Sequence, residues 1–515
     1  MKIDQILTHL SLADKNQIEE LNISLEELTI QLNHHIHGFP PLNLIKPAIL
    51  DQGIKKIDKQ NQLRYIEIYE KASMVNEICK FVPASGAASR MFRSLFAYLN
   101  GPEEKATEEI ATFFNRIKEF AFYQSLNESL KKDKLNLEDL LEKGQHHLIL
   151  TYLLTEKGLN YGQLPKALLA FHKYENHIRT AAEEHLAEGA MYARYKDDQV
   201  KIHFTVSPQH KELIIKHLEE VIPRYEREFN TSFQYEISVQ NPSTDTIAVT
   251  LENEPFRDEE GKLVFRPGGH GALLENLNQI KTDLIFIKNV DNVVPDQQRA
   301  STVFYKKLIG GVLVDYQQQI HEYLNLLNDE NHSISYAELK KIREFIEKEL
   351  CILPPKQLKD ADWEKQRDYL TKKLNRPIRV VGVIATEGNT GGGPFWVEEK
   401  DGTISLQVVE TAQIDTHDPK QKAIMEQSRF ANITDLVCAV KDFQGKPFDL
   451  LQFRDPETGF ISQKSQFGRD LKALELPGLW NGSMADWNTI FVEVPGETFC
   501  PVKVVMDLLG GGHTD

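Results

Sequence analysis

The sequence predicts an α/β protein whose mostly parallel sheet carries helices on both faces. Strand-like segments, such as residues 200–206 and 284–287, alternate along the chain with stretches of helical periodicity. The chain has 515 residues, of which 41% are hydrophobic, so it can bury a large core. This length also predicts two or more domains.

Composition argues against several classes of protein. Sixty Lys and Arg stand against 76 Asp and Glu, a net charge of −16, which argues against a nucleic-acid-binding protein. A phosphate ligand is compatible with this charge, because it needs only a few local cations. The four cysteines are widely spaced, which predicts free thiols in a reducing cytoplasm. We expect neither a secretion signal nor a membrane segment, since no run approaches the ~20 apolar residues of a spanning helix.

Residues 1–75 are predicted to form helices. Leucines such as Leu25 and Leu28 recur there at roughly helical spacing. Ser24 is the expected N-cap of one helix, with Glu27 three residues later. The chain therefore begins with a predicted helical segment.

A turn of small residues, 83–91, follows a predicted buried strand over residues 78–82 and leads into a helix. Small side chains let the backbone approach a ligand closely, and the unpaired N–H groups of a helix start can bind an anion. Arg90 adds a planar fork of donors that suits phosphate. The turn predicts a phosphate-binding loop, and an ordinary strand-to-helix turn is the alternative.

An almost wholly helical insertion is predicted over residues 103–196, where Phe113 and Phe114 belong to one apolar face. Histidines in this block stand among charged residues and lack the spacing of a zinc protease. We expect solvated or helix-capping side chains for His172, His177 and His185.

Strands and helices alternate after the insertion. Ser207-Pro208 is a typical helix start between two strand segments. This alternation is typical of a parallel sheet. The predicted strands are 200–206, 233–239 and 246–251, with a hairpin turn at 258–262.

A second glycine-containing stretch, residues 266–274, precedes a short helix and the buried strand 284–287. Asp291 lies just past that strand, where ligands bind in open α/β sheets. A carboxylate beside a phosphate loop is a natural Mg²⁺ ligand, because Mg²⁺ usually takes one or two carboxylates plus substrate phosphates. The alternative is that Asp291 and Asn292 form an Asx-turn.

The rest of the sequence, from residue 296 onward, changes character twice. Residues 296–375 return to amphipathic helices, and the chain is β-rich from residue 377 onward. Residues 387–394 contain three consecutive glycines followed by proline between two apolar strands. We predict a substrate-facing loop there, with a flexible spacer as the alternative.

These motifs together resemble the UDP-sugar pyrophosphorylases, which are nucleotidyltransferases of the GT-A fold. The resemblance rests on the order of the small-residue loop with Arg-Met, Pro-Gly-Gly-His-Gly, a strand, and Asn-x-Asp-Asn. Val409-Glu410 and residues 429–432 and 499–503 are similar to later signatures of that family. Over nearly its full length the chain is similar to a bacterial family classed as a domain of unknown function, number 4301.

The resemblance implies a Mg²⁺-dependent nucleotidyltransferase that acts on a nucleoside triphosphate, with UTP favoured, and a sugar 1-phosphate. A GT-A glycosyltransferase and a non-catalytic nucleotide-binding or interaction protein are the alternatives. The implied catalytic residues are Arg90, Asp291 and Lys503, with Asp291 as the metal ligand. The implied nucleotide contacts are Ala84, Ser85, Gly86, Ala87, Ala88, Ser89, Gly269, His270, Gly271 and Asn289, and the implied sugar contacts are Gly392, Gly393, Glu410 and Asn432.

The sequence departs from that family at the loop itself. The family's loop usually reads Gly-x-Gly-Thr-x-Met, with a Pro-Lys pair several residues later. Here Ala88-Ser89 replaces the second Gly-Thr, and Arg93 is the only cation soon after the loop. If that lysine acted like an oxyanion donor, its loss could lower the rate by a factor of ~10² to 10³. Arg90, Arg93 or Lys503 could supply the missing charge.

Four regions follow from these patterns. The predicted organisation is a helical segment over 1–75, a GT-A-like nucleotide-binding core over 76–330 with the insertion 103–196, a helical connection over 331–375, and a β-rich part over 376–515 that completes the core on the sugar side.

Overall fold

The computed structural model describes residues 3–86, 88–101, 107–329, 331, 334–388 and 391–513. Contacts group the chain into two compact units, each assembled from three separate segments. The first unit contains Met1–Tyr69, Gln240–Ile285 and Ile309–Val494. The second contains Glu70–Val239, Phe286–Leu308 and Pro495–Asp515.

The helices lie mainly in the first half of the chain and between residues 299 and 374. Within the described residues none has the length and apolar character needed to cross a bilayer. The α-helices are α1 Ile3–Thr8, α2 Leu12–Glu20, α3 Leu25–His37, α4 Lys59–Ser73, α5 Arg93–Leu99, α6 Glu108–Asn115, α7 Tyr123–Lys132, α8 Leu137–Glu142, α9 His146–Leu154, α10 Ala181–Tyr192, α11 Lys211–Phe229, α12 Leu273–Asn278, α13 Arg299–Asn328, α14 Tyr336–Lys348, α15 Trp363–Leu374 and α16 Pro419–Glu426.

Strands occur throughout the chain, and the longest is β16 near the C-terminus. The strands are β1 Leu44–Pro47, β2 Ile49–Leu50, β3 Gly53–Lys55, β4 Ile78–Pro83, β5 Ala170–Lys173, β6 Ile178–Thr180, β7 Arg194–Tyr195, β8 Gln199–Val206, β9 Ser232–Val239, β10 Asp245–Ile247, β11 Phe265–Pro267, β12 Leu284–Lys288, β13 Ile378–Ala385, β14 Gly392–Glu398, β15 Ile404–Glu410, β16 Phe430–Ala439, β17 Phe460–Gln466, β18 Arg469–Glu475 and β19 Asn488–Glu493.

The first unit contains a mixed sheet in the order β2-β3-β19-β13-β16. Strand β19 is parallel to β3 and to β13, whereas β16 is antiparallel to β13. A separate antiparallel sheet has the order β1-β14-β15. The N-terminal helices bury a row of apolar side chains, including Ile18, Leu28 and Leu32, against Ile247 and Val249. Burial of this face, rather than helix propensity, stabilises these short helices.

The second unit contains strands in the order β12-β4-β8-β7, with β9 also paired to β8. Strands β4 and β9 are parallel to β8, and β7 is antiparallel to it. A large apolar core includes Phe113 and Phe120 of the insertion. It also includes Val502 and Val505 of the C-terminal segment, Pro495–Asp515. The fold-class prediction, α/β with a mixed and mostly parallel sheet flanked by helices, is confirmed.

Three local predictions differ from the structure. The insertion also contains β5, β6 and β7, which are too short to give a period-two pattern. Of the strand predicted over residues 246–251, only Thr246 and Ile247 belong to a described strand, β10. Among the histidines predicted to be solvated or capping, His172 is 1% and His185 is 0% exposed, because both belong to buried polar networks.

Candidate functional site

A buried carboxylate held by two lysines is the centre of the candidate site in the second unit. Asp291 is 7% exposed and lies just beyond the end of β12. Its Oδ2 accepts hydrogen bonds from the Nζ of Lys166 at 2.8 Å and from the Nζ of Lys503 at 3.2 Å. Its other oxygen, Oδ1, is buried and has no hydrogen-bond partner among the described residues. Two lysine cations therefore contact Oδ2, whereas Oδ1 can still accept a hydrogen bond or coordinate a metal ion.

The C-terminal segment fixes the backbone around this carboxylate. The Val502 N–H donates to the Asp291 carbonyl at 3.0 Å, and the Val502 carbonyl accepts from Lys166 at 2.7 Å. The Asn292 side chain accepts from the Cys500 N–H at 3.0 Å. Within the described part of the chain no backbone N–H donates to the Asp291 carboxylate, so lysines rather than an Asx-turn orient it.

The small-residue loop is hydrogen-bonded to two segments of this site. The Val290 N–H, one residue before the carboxylate, donates to the Pro83 carbonyl at 3.3 Å. The Ala88 N–H donates to the Leu164 carbonyl at 3.2 Å, just before Lys166 in the chain. The loop predicted to bind phosphate therefore lies beside the predicted metal ligand and beside a lysine.

The C-terminal segment meets the same loop. The Val505 N–H donates to the carbonyl of Met91 at 3.0 Å. Ser85 is half-buried and Gly86 is exposed, and a Cβ at Gly86 would meet no atom within 4 Å. Open space at this glycine leaves room for a ligand against the backbone. Ala87, predicted to contact the nucleotide, lies outside the described residues.

Two arginines extend the positive charge at the end of the loop. Arg90 and Arg93 are both exposed, and neither side chain makes a hydrogen bond or ion pair with another described residue. Ser89 is also exposed, whereas Ala84 and Ala88 are buried in the core. The predicted contacts thus divide into side chains that can reach a ligand and small residues that let the loop pack.

A buried charge network supports the Asp291 loop from the protein interior. The Nζ atoms of Lys80 and Lys288 donate to the two oxygens of Glu188 at 3.0 and 2.9 Å. His185 Nε2 lies 3.2 Å from the Val290 carbonyl, and Lys80 donates to the His185 carbonyl at 3.0 Å. Burial alone would raise the pKa of Glu188, but the two lysine cations hold it well below its usual range. This network anchors the backbone next to Asp291.

A second group of predicted residues comes together in the first unit. The Leu479 N–H donates to His270 Nδ1 at 2.9 Å, so the ring proton is on Nε2 and His270 is neutral. That Nε2 lies 3.3 Å from Glu410 Oε1, and the ring stacks on Trp480 at 4.3 Å. Burial would raise the pKa of Glu410, but hydrogen bonds from His270 and Asn481 lower it. His270 and Glu410, predicted to contact different parts of the substrate, form one hydrogen-bonded pair.

Some predicted glycines are required by protein packing. A Cβ at Gly271 would lie 2.2 Å from the Pro477 carbonyl oxygen, and one at Gly393 would lie 2.6 Å from the Phe430 carbonyl oxygen. Gly269 has a φ of +77°, which favours glycine whatever its neighbours. Protein backbone, rather than a ligand, therefore explains the absence of side chains at positions 271 and 393.

The remaining predicted residues have local roles. Gly392 pairs with Glu410 in the β14–β15 ladder. The Asn432 side chain accepts from the Thr434 N–H at 3.1 Å. Asn289 lies in the second unit, and its carbonyl accepts a hydrogen bond from the Asn292 N–H at 3.1 Å. This bond forms a turn over residues 289–292, just before Asn292 contacts Cys500.

Comparison with known proteins gives a family. The family model described as Domain of unknown function (DUF4301) matches residues 11–514, nearly the whole chain. The chain belongs to the DUF4301 family. No curated protein matches the DUF4301 chain.

Solved structures similar to the DUF4301 chain include two pyrophosphorylases. The uridine diphosphate N-acetylglucosamine pyrophosphorylase of Trypanosoma brucei is 12% identical, with 99% of this chain and 81% of that chain covered, at a TM-score of 0.47. A UDP-glucose pyrophosphorylase of Leishmania major, solved with UDP-glucose, is 13% identical, with coverages of 97% and 79%, at a TM-score of 0.42.

Lys166 is the site residue that sequence reasoning missed in this DUF4301 chain. The chain has a Pro-Lys pair, Pro165-Lys166, beyond helices α5 to α9 rather than soon after the loop. The insertion separates this pair from the loop in the sequence, and the hydrogen bond from the Ala88 N–H to the Leu164 carbonyl brings the two segments together in the fold. A search for Pro-Lys beyond the helical block would have found it.

The residues around Asp291 fit a hydrated magnesium ion only in part. Within the described ranges no cluster of three or more His, Cys, Asp or Glu side chains could hold a metal ion. The buried Oδ1 of Asp291 is nevertheless an unpartnered acceptor. Because Mg²⁺ often takes a single carboxylate with water and substrate phosphates, this oxygen suits it in the presence of a nucleotide.

Proposed function

We propose that this protein is a Mg²⁺-dependent nucleotidyltransferase. It transfers the nucleoside monophosphate group of a nucleoside triphosphate, with UTP favoured, to a sugar 1-phosphate. The observation that carries the proposal is the pair of lysines on Asp291, next to a loop of small residues with open space at Gly86. Backbone N–H groups, ammonium groups and a carboxylate are the groups that phosphate transfer uses. The choice of uridine and of a sugar comes from the motif resemblance.

The reaction is a displacement at the α-phosphorus of the nucleotide. A phosphate oxygen of the sugar 1-phosphate forms the new bond, the bond to the β-phosphate bridging oxygen breaks, and pyrophosphate leaves with that electron pair. No protein nucleophile is needed, because the acceptor phosphate is itself the nucleophile. The protein contributes position and positive charge, which together account for most of the catalysis in phosphoryl transfer.

The charged side chains of the second unit divide this work. Lys166 is largely buried, with 13% of its side chain exposed, so its hydrogen bonds fix its position before a ligand arrives. Lys503 is 60% exposed and can turn toward a phosphate oxygen. Arg90 and Arg93 offer further exposed donors beside the loop. Asp291 Oδ1 would hold Mg²⁺, which when bound would neutralise charge on the nucleotide phosphates.

In the first unit we propose that Glu410 contacts the sugar and that His270 contacts the nucleotide base and ribose, as the motif resemblance implies. The neutral His270 ring on Trp480 is a flat surface with a polar edge, and Glu410 is a carboxylate acceptor beside it. Carboxylates accept hydrogen bonds from sugar hydroxyl groups, and stacked rings bind flat or apolar faces. Because His270 and Glu410 are already paired, we propose that they act together on the ligand.

The test is pyrophosphate release from a panel of nucleoside triphosphates and sugar 1-phosphates, with and without Mg²⁺. We expect one pair to turn over and to require the metal. Asp291→Asn should lower kcat by ~100-fold or more, because the carboxylate charge is lost while the side-chain shape is kept. Asp470→Asn, at an exposed position of β18, is the matched control and should keep full activity.

Two outcomes would overturn the proposal. The first is a folded protein that releases no pyrophosphate with any pair. The second is consumption of a nucleotide-sugar with transfer to an acceptor and no pyrophosphate, which would indicate a glycosyltransferase instead.

A further inference from the structure

A fully buried arginine in the mixed sheet of the first unit is not used by the proposed reaction. Arg379 belongs to β13 and is 0% exposed. Its Nε donates to Thr489 Oγ1 of β19 at 2.9 Å, and its Nη1 donates to the Trp480 carbonyl at 2.5 Å. Nη1 also lies 3.3 Å from the Met484 sulfur. One planar fork of donors therefore joins the sheet to residues 478–484, which we call the Trp480 turn.

Arg379 carries a charge that is not paired with a carboxylate. Within the part of the chain that the structure describes, its side chain meets a hydroxyl, a carbonyl and a thioether, and its Nη2 has no hydrogen-bond partner. An unpaired buried charge costs free energy, and a well-packed apolar side chain often costs less. Stability of the sheet alone would therefore favour an apolar residue here, whereas two fixed donors on one rigid group require an arginine.

The Trp480 turn is the surface against which His270 lies. The Leu479 N–H donates to His270 Nδ1 at 2.9 Å, and the His270 ring stacks on Trp480 at 4.3 Å, with 16° between the ring planes. A Cβ at Gly478 would lie 2.5 Å from His270 Cε1. Three consecutive residues thus fix the ring, whose Nε2 lies 3.3 Å from the Glu410 carboxylate.

Backbone hydrogen bonds shape the Trp480 turn itself. The N–H groups of Asn481 and Ser483 both donate to the Gly478 carbonyl, at 2.9 and 3.1 Å. These bonds close the turn on itself, whereas the guanidinium of Arg379 joins it to the sheet. This attachment is made at Trp480, the residue that carries the stacked ring.

We propose that Arg379 is a positioning residue that holds the Trp480 carbonyl against the sheet and so fixes the orientation of the indole and of His270. Arg379 contacts none of the groups proposed to take part in the reaction. Its hold on the Trp480 turn stands on geometry, whereas its effect on nucleotide binding rests on the proposed function.

This role predicts an effect on binding rather than on the chemical step. A surface that is already ordered lowers the entropy cost of binding a ligand. The groups proposed for the chemical step, Lys166 and Asp291, belong to the second unit. Loss of Arg379 should therefore weaken nucleotide binding more than it slows turnover.

The first test compares hydrogen exchange of peptides from residues 477–485 with that of peptides from β16, at pH 7 without ligand. Arg379→Met should speed exchange of the 477–485 amides at least ~10-fold and that of β16 by less than ~3-fold, because the turn is freed while the sheet stays packed. Arg367→Met is the matched control, since Arg367 Nε likewise donates to a backbone carbonyl of the first unit, that of Leu327, at 2.9 Å. It should leave residues 477–485 unchanged.

A second variant keeps the proposal testable if Arg379→Met does not fold. Thr489→Val retains the arginine but removes the acceptor of its Nε, and it should speed exchange of residues 477–485 by ~3-fold or more. Unchanged exchange of residues 477–485 would overturn the proposal. Equal acceleration of these residues and of β16 would also overturn it, because it would show a general role in stability.

Steady-state kinetics tests the consequence for the ligand if the enzyme activity is found. Arg379→Met should raise KM for the nucleoside triphosphate ~10-fold and lower kcat by less than ~3-fold, whereas Arg367→Met should change neither constant. A lower kcat with an unchanged KM would contradict a role in positioning the nucleotide contacts. Hydrogen exchange uses no substrate, so failure of the proposed enzyme activity would leave the first test unaffected.

Discussion

At the residue scale, the arrangement around Asp291 distinguishes two lysines that share one acceptor. Lys166 bonds both to the carboxylate and to the Val502 carbonyl, so it is fixed at two points. The Lys503 side chain makes the longer, 3.2 Å contact to the carboxylate and is mostly exposed. A fixed cation costs no reorganisation when charge develops, so Lys166 should contribute more to catalysis.

Substitution of Lys166 tests this difference. We predict that Lys166→Met lowers kcat by ~10² to 10³-fold, the usual cost of removing one preorganised donor. Lys503→Met should raise KM more than it lowers kcat, because a mobile cation contributes mainly to ligand binding. Steady-state pyrophosphate release measures both constants.

Lys132→Met, in the exposed last turn of α7, is the control and should leave both constants unchanged. If Lys166→Met retained wild-type kcat while its fold was intact, the lysine would have only a structural role.

At the element scale, helix α2 shows how a short helix is held at its start. Ser11 and Asp14 form a capping box, with the Asp14 N–H donating to Ser11 Oγ at 3.1 Å. Asp14 also accepts both arms of the Arg257 guanidinium, at 2.7 and 2.9 Å. A carboxylate in the first turn also suits the helix dipole. One side chain therefore caps α2 and pairs it with residue 257 of the same unit.

The stability contributed by Asp14 should depend on pH. The hydrogen bonds from Arg257 lower the pKa of Asp14 from 3.8 to about 2, despite its burial. This contribution is complete above pH 3.8 and is lost as the pH falls through about 2. Asp14→Asn should lower the free energy of unfolding by about 1 kcal/mol at pH 7, since solvent at the arginine weakens the pair.

Urea unfolding of the wild type and Asp14→Asn at pH 7 and pH 3 measures this effect. The difference between the two proteins should shrink at the lower pH. Asp4→Asn, at an exposed position of α1, should leave the midpoint unchanged at both values. A difference that stays constant with pH would show that the charge of Asp14 is not the cause.

At the scale of the whole molecule, both compact units depend on segments far apart in sequence. The second unit takes its last part from Pro495–Asp515. That part supplies Val502 and Val505, each 0% exposed, and Leu508 and Leu509, 4% and 6% exposed. Burying four such side chains stabilises a fold by on the order of 6 to 12 kcal/mol. That is comparable with the whole stability of an ordinary domain, about 5 to 15 kcal/mol.

A chain that ends after Val494 should therefore lose the fold of its second unit. We expect rapid proteolysis within residues 70–239 and a smaller far-UV signal. A chain that ends after His513 keeps every buried apolar residue of the segment and should behave as the wild type. Equal protease resistance of the two shortened chains would contradict the assigned contribution of the C-terminal segment.

The sequence allowed the class of the fold and three charged residues of the candidate site, Arg90, Asp291 and Lys503, to be predicted. Strand periodicity located β4, β8, β9 and β12, and the position after β12 identified Asp291. Lys166 and the pairing of His270 with Glu410 were not predicted, because each joins segments separated by many elements. Buried histidines were also misread, since His172 and Glu184 stand among charged residues in the sequence and satisfy one another only in the fold.

The sequence by itself determined the α/β class, the free cysteines, the order of the glycine-containing loops and the position of Asp291. All of these follow from local periodicity, spacing or composition. Only the tertiary structure decided that Lys166 and Lys503 share one oxygen of Asp291 and that His172 is hydrogen-bonded to His513. Charges are brought within hydrogen-bond distance by packing of the apolar core, and nothing in the local sequence records which distant partner will meet them.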